Sequence, residues 1–262
     1  MTATSKLASI FFRFLRPEDA AVYGLCRRFA DRYDGNNDCN MLTNGEWRFM
    51  RQMLAESETV FDVGANAGEW AALALGVNPK LSLHCFEPNG AAFRLLSERA
   101  FPDNVRRNNV GMSSTQGQRE LYLFEDGSGL NSMYRREGLE DGWGLETQQR
   151  TQVIQVDTVD HYCANHGIGN IDLLKMDVEG HELEVLKGAS RMIANGRIRA
   201  IQFEYGGCNI DARVLLQDFF RLLRPSGYTL FKVFPGELRR VERYDQRFEN
   251  FQYQNWVALL PG

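Results

Sequence analysis

No two cysteines in this chain stand at Cys-x-x-Cys spacing. The five present, Cys26, Cys39, Cys85, Cys163 and Cys208, are scattered and odd in number. That excludes the usual disulfide framework and fits a reducing, cytoplasmic setting. His161, Cys163 and His166 sit close together in "DHYCANHG", but no fourth ligand follows at a spacing that zinc sites use. No apolar run is long enough for a membrane span. The N-terminal "KLASIFFRFLRP" is interrupted by Arg13 and lacks a small-residue cleavage site, so no secretory leader is expected. A basic excess is missing too: the formal net charge is -4, which argues against nucleic acid as the main ligand.

Repeats and low-complexity linkers are also absent, and 262 residues suit one large domain or one domain with an appended segment. The apolar fraction of 44% is enough to bury a substantial core. Residues 1–56 read as an N-terminal helical segment and 57–262 as the main domain. Leu7, Ile10, Phe11, Phe14 and Leu15 share one helical face beside Lys6, Arg13 and Arg16. Such a face suits docking on the core or on a second subunit, as in a homodimer; peripheral contact with a membrane surface is the second option.

From Glu58 onward, short apolar runs alternate with helical patterns. "TVFDVG", "LSLHCFEP", "VRRNNVGMSS", "IDLLKMDV" and "RAIQFEY" read as five strands separated by helices. The segment between residues 119 and 162 holds further strand-like pieces around a Gly, Ser and Asn-rich loop. "YTLFKVFPGELRRV" and "NFQYQNWVALLP" add two β-rich segments at the end. The expected architecture is α/β: a doubly wound, mostly parallel, seven-stranded sheet closed by a C-terminal antiparallel hairpin. In such a sheet the loops at the carboxyl ends of the strands gather on one edge, where ligands bind.

"VFDVGANAGEW" joins the first strand to its helix, with Gly64 and Gly68 allowing a tight turn. The spacing is neither Gly-x-Gly-x-x-Gly nor that of a phosphate-binding P-loop. Asp62 would repel a pyrophosphate but suits an ammonium or sulfonium group. Glu87, at the end of the second strand in "CFEP", is placed to accept hydrogen bonds from both hydroxyls of a ribose. S-adenosylmethionine meets both requirements. A nicotinamide-dependent oxidoreductase is disfavoured by the glycine spacing and by Asp62, and a non-catalytic cofactor-binding protein of the same fold is the other alternative.

"FDVGANAGEW", "FEP", "VDTVDHY", "IDLLKMDVEGHELEVLKGA" and "IQFEY", in this order, resemble the FkbM family of S-adenosylmethionine-dependent methyltransferases. The upstream "NGE", Asn44 to Glu46, and the closing "NFQYQNWVAL" are similar to segments of that family, so the likeness spans roughly residues 40–260. It implies a Rossmann-like class I methyltransferase fold and O-methylation of sugars, glycan precursors or polyketide-type natural products. The implied cofactor contacts are Asp62, Gly64, Ala65, Asn66, Gly68, Glu69, Glu87, Pro88, Gly111 and Asp177.

An alcohol must lose its proton as it takes a methyl group, to a side-chain base or with the help of a metal. Asp177, ending the fourth strand, Glu179 and His181 on the turn beyond it, and Glu204, ending the fifth, are the candidate catalytic residues. In one layout Asp177 or His181 is the base. In the other, Asp177 and Glu204, with Glu179 or Asn209, hold a divalent cation such as Mg²⁺ or Mn²⁺. The metal-free base is favoured. Ser128, Asn131, Ser132, Tyr134 and Arg135, with Arg136 beside them, form the expected acceptor side. Glu182 and Glu184 read as first-turn acids facing water. Trp70, Trp143 and Tyr205 read as stacking platforms or core.

Overall fold

The computed structural model describes residues 19–124, 131–136 and 150–261. Two helices come first. α1 (Ala20–Asp34) is capped by Asp19, whose carboxylate accepts from the Ala21 and Val22 N–H groups, and it buries none of its residues. α2 (Glu46–Leu54) sinks Phe49, Met50 and Leu54 into the core. Thus residues 46–54, on the N-terminal side of the boundary drawn after residue 56, share the core of the domain that follows.

The alternating pattern continues as β1 (Thr59–Val63), α3 (Glu69–Val77), β2 (Ser82–Phe86), α4 (Gly90–Glu98) and β3 (Val105–Asn108). Next come β4 (Gly111–Met112), β5 (Gly117–Leu123), β6 (Arg150–Asp157) and α5 (Val159–His166). β7 (Ile171–Met176) leads into α6 (Glu182–Gly188), α7 (Ser190–Ala194) and β8 (Ile198–Tyr205). The end holds α8 (Cys208–Ala212), α9 (Leu216–Leu223), β9 (Thr229–Val233), β10 (Leu238–Val241) and β11 (Gln254–Leu259). The main sheet has the order β10-β9-β11-β8-β7-β1-β2-β3. β8, β7, β1, β2 and β3 run parallel, while β11 lies antiparallel between β8 and β9. This is an α/β fold of the Rossmann-like class I methyltransferase type.

The strand count differs from the expected seven: the main sheet has eight. "YTLFKVFPGELRRV" is two strands, β9 and β10, folded back at Pro235-Gly236 with reciprocal Phe234 and Glu237 backbone hydrogen bonds. The helical stretch after β7 is divided in two. Gly188 packs so closely on the Ser113 carbonyl that an added Cβ would lie 2.0 Å from it, and the chain turns there between α6 and α7. β4, β6 and β5 form a separate small sheet with its own apolar cluster, Leu121, Leu123, Ile154 and Val156, against which Met133 packs.

Side-chain alternation assigns the two faces of the main sheet. Phe61, Val63, Leu174, Met176, Ile201 and Phe203 point to one core cluster. Val60, Leu83, Leu173, Ala200 and Val257 point to the other, under α2, α3 and α4. On that second face the next residues toward the carboxyl ends are Asp62, Lys175 and Gln202, in direct register across β1, β7 and β8. Apolar packing therefore gives way to buried charge as the strands approach the ligand-binding edge.

Candidate active site

The carboxyl ends of β1, β2 and β7 open into a cleft with about 670 Å³ of empty space, part of it open solvent. Gly64 adopts φ +79° and lies so close to β7 that a Cβ there would meet the Asp177 carbonyl oxygen at 1.9 Å. The Gly64 and Ala65 N–H groups bond to the Phe86 carbonyl, and the Asp177 N–H bonds to that of Val63. Three strand ends are thereby locked together under the cleft floor.

Of the expected residues, the cleft is lined by Gly64, Asn66, Glu87, Pro88, Gly111, Asn131, Asp177 and Glu179. Glu87 accepts the Asn66 N–H at 2.8 Å and the Asn89 N–H at 2.8 Å. Burial pushes its carboxyl up to about 7 despite those two bonds. Beside it, Pro88, Ala92, Met112, Leu121 and Met133 make an apolar slot. Asp177 stands at the open end, its side chain 40% exposed. Glu179 has φ +52°, and its carboxylate holds Arg136 at 2.6 Å. Burial, with Asp177 next, raises Glu179 to about 8 against the opposing pull of Arg136.

Other expected residues lie elsewhere. Asp62, expected to face a cofactor ammonium, is 0% exposed and bonded to Lys175 Nζ at 2.9 Å. It lies in register with Lys175, two residues short of Asp177, and does not line the cleft. Ala65 is buried in the turn, Gly68 caps α3, and Glu69 points to solvent. His181 is buried behind the turn, its Nε2 3.0 Å from Ser113 Oγ and its Nδ1 3.1 Å from Tyr134 Oη. Glu204 accepts from the Tyr253 hydroxyl at 2.7 Å, and burial followed by the Asp177 charge drives its carboxyl well above the usual range. Glu46 sits nearby, holding the side-chain amides of Asn44, Asn255 and Gln202.

On the acceptor side, Ser132 Oγ donates to the Glu179 carbonyl at 2.8 Å, and Arg135 is exposed. Arg136, expected beside an acceptor anion, instead clamps residues 131–136 to the turn through Glu179 and approaches Asp211 at 3.9 Å. Ser128 and Trp143 lie outside the described residues. Trp70 and Tyr205 are core residues. Glu184 bonds Ser114 Oγ and Lys187. Glu182 does not face water: it is 0% exposed and accepts the Val178 and Gly180 N–H groups, stitching the turn.

Among the described residues, no group of three or more His, Cys, Asp or Glu is arranged to hold a metal ion. Asn209, expected as an alternative to Glu179 in a metal site, instead caps its own turn by accepting the Gly206 N–H. Cys163 is buried, His161 pairs with Asp157, and the His166 ring packs at a tilt against Tyr162. What the sequence reading missed is the apolar slot and Lys175. The slot needs Met112 and Leu121 from a second sheet and Met133 packed against it. Lys175 was visible only as the polar interruption of a buried strand.

Burial holds His181 down at about 4, whereas an unfolded histidine titrates near 6.5. As pH falls from 6.5 to 4, the unfolded chain takes up a proton that the folded chain refuses. Stability is lost across that window, by up to about 3 kcal/mol from this residue. Urea midpoints of wild type and His181→Asn are expected to lie closer together at pH 5 than at pH 7. An unchanged gap would show that His181 is not buried as a neutral ring.

A cleft at this edge of a doubly wound sheet, floored by a glycine turn and flanked by an acid on the second strand, is where such folds take a nucleoside cofactor. The Methyltransferase FkbM domain model matches residues 62–230, and the chain belongs to that family. It is 29% identical over 202 residues to 31-O-demethyl-FK506 methyltransferase FkbM of Streptomyces tacrolimicus, covering 68% of this chain and 75% of that one. It is 29% identical to the 2-O-methyltransferase NoeI of Sinorhizobium fredii, over 67% of this chain and 74% of NoeI. The hexuronic acid methyltransferase AglP of Haloferax volcanii is 27% identical, over 66% of this chain and 69% of AglP. A crystal structure of methyltransferase FkbM from Methylobacillus flagellatus aligns with a TM-score of 0.44 at 17% identity, over 78% of this chain and 44% of that one. No helix among the described residues is long and apolar enough to cross a membrane.

Proposed function

We propose that the protein is an S-adenosylmethionine-dependent O-methyltransferase acting on a hydroxyl of a sugar, a glycan precursor or a related polyhydroxylated metabolite. The observation that carries this reading is the arrangement of Glu87, the apolar slot and Asp177 along one cleft. The slot between Pro88, Ala92, Met112 and Met133 fits a flat base, and Glu87 beside it has lone pairs left for ribose hydroxyls. The Gly64–Asn66 turn leaves room for the amino acid part. When bound, the cofactor supplies a methyl group on a positively charged sulfur.

The chain's own residues then orient an acceptor oxygen and take its proton. Asp177 is the base in this reading, because it alone of the four candidates combines cleft lining with substantial exposure. Glu179, paired with Arg136 at 2.6 Å, fixes the turn on which the acceptor would rest. His181 and Glu204 support the walls. The names of NoeI and AglP support this acceptor class: the first denotes transfer to a 2-O position and the second a hexuronic acid acceptor.

Incubation with methyl-labelled S-adenosylmethionine and a panel of monosaccharides, uronic acids and nucleotide sugars is expected to give an O-methyl ether, with one S-adenosylhomocysteine per product. EDTA is expected to leave the rate unchanged. Label appearing only on nitrogen or carbon, or on no acceptor, would overturn the reading.

A further inference from the structure

We propose that Lys175 is a positioning residue for Asp177: anchored from below by Asp62, its ammonium fixes the orientation of the Asp177 carboxylate at the mouth of the cleft. The inference rests on Asp177 being the base. Alternation along β7 places residues 175 and 177 on the same side of the sheet, and the β1–β7 register places Asp62 directly opposite Lys175. The result is a chain of three charges. Asp62 Oδ1 lies 2.9 Å from Lys175 Nζ, which lies 3.8 Å from Asp177 Oδ2.

Exposure rises along that chain. The Asp62 side chain is 0% exposed, that of Lys175 is 7%, and that of Asp177 is 40%. Asp62 Oδ2 has no hydrogen-bond partner among the described residues, so the Asp62 charge leans on Lys175. The Trp70 ring, with its centroid 5.7 Å from Nζ, closes the remaining side. A lysine stem has four rotatable bonds, and these contacts remove its freedom to swing. The acid that meets the acceptor thereby rests on a fixed support.

The competing explanation is that Lys175 only neutralises Asp62. A buried ion pair is weak support for a sheet, since apolar residues of similar volume often serve as well. That comparison supplies the test. Lys175→Met alone leaves Asp62 buried and unpaired, so the informative variant is Asp62→Leu/Lys175→Met, which removes both charges and keeps the packing. It is expected to fold, to bind S-adenosylmethionine within about threefold of wild type, and to keep the acceptor KM. Its kcat is expected to fall by about 100-fold, the scale of a misplaced reacting group.

Wild-type kcat in a folded double variant would overturn the proposal, because the pair would then serve the core alone. Equal losses in kcat and in cofactor affinity would overturn it as well, since they mean a collapsed cleft. Asp177→Asn, measured alongside, separates the two claims. If it abolishes transfer while the double variant turns over normally, the reading of Asp177 stands and that of Lys175 falls. If Asp177→Asn turns over normally, both fall.

Discussion

Asp177→Asn is expected to lower methyl transfer by about 10² to 10⁴-fold, the usual worth of a positioned general base. Cofactor affinity should change little. The substitution keeps the size of the side chain and the backbone bond from the Asp177 N–H to Val63, so the strand end stays in place. On the proposed reading, what is lost is the ability to accept the acceptor's proton. Single-turnover rates with saturating S-adenosylmethionine are the appropriate readout, because they isolate transfer from product release. Glu179→Gln and Glu204→Gln provide the contrast. Glu204 is tied to Tyr253 behind the cleft, and Glu179 is tied to Arg136. Each is expected to cost less than Asp177→Asn. A larger loss at Glu204 than at Asp177 would transfer the base to the fifth parallel strand.

Gly64→Ala is expected to destabilise the fold by more than about 3 kcal/mol and to abolish cofactor binding. Two independent effects combine there. The backbone φ of +79° is strained for any residue with a Cβ, and that Cβ would sit 1.9 Å from the Asp177 carbonyl oxygen. Relief requires β1 and β7 to separate, which dismantles the floor of the cleft. Gly76→Ala is the matched control. It lies near the end of α3 with nothing within 4 Å of the added methyl, and it is expected to stabilise the protein by about 0.5–1 kcal/mol. Urea unfolding of both variants tests the pair. Similar destabilisation by both would mean that Gly64 matters only as a flexible residue.

The parts of the site carried by strand ends were legible in the sequence. Glu87 before Pro88, Gly64 after "FDV" and Asp177 after "LLKM" each follow an apolar run, and a parallel sheet delivers the ends of such runs to one edge. Parts that depend on side-chain direction were not. Asp62 and Asp177 share one side of the sheet, yet Asp62 lies in register with Lys175, two residues short of Asp177, and is buried against it while Asp177 lines the cleft. His181 and Glu182 belong to the same turn as Glu179. Glu179 at φ +52° and Gly180 at +100° rotate the chain so that His181 packs behind the turn against Ser113 and Tyr134. The apolar slot requires a second sheet to be docked on the first, which no local pattern encodes. The eighth strand was marked by its Pro-Gly turn, a signal masked by the continuous β-rich composition on either side.

The central claim is that this cleft takes S-adenosylmethionine, with Glu87 receiving the ribose. Calorimetric titration of wild type and Glu87→Gln with S-adenosylmethionine and with NAD tests it most directly. Saturable 1:1 binding of S-adenosylmethionine, weakened about tenfold or more in Glu87→Gln, with no response to NAD, is the predicted result. Binding of NAD with no response to S-adenosylmethionine would contradict the account.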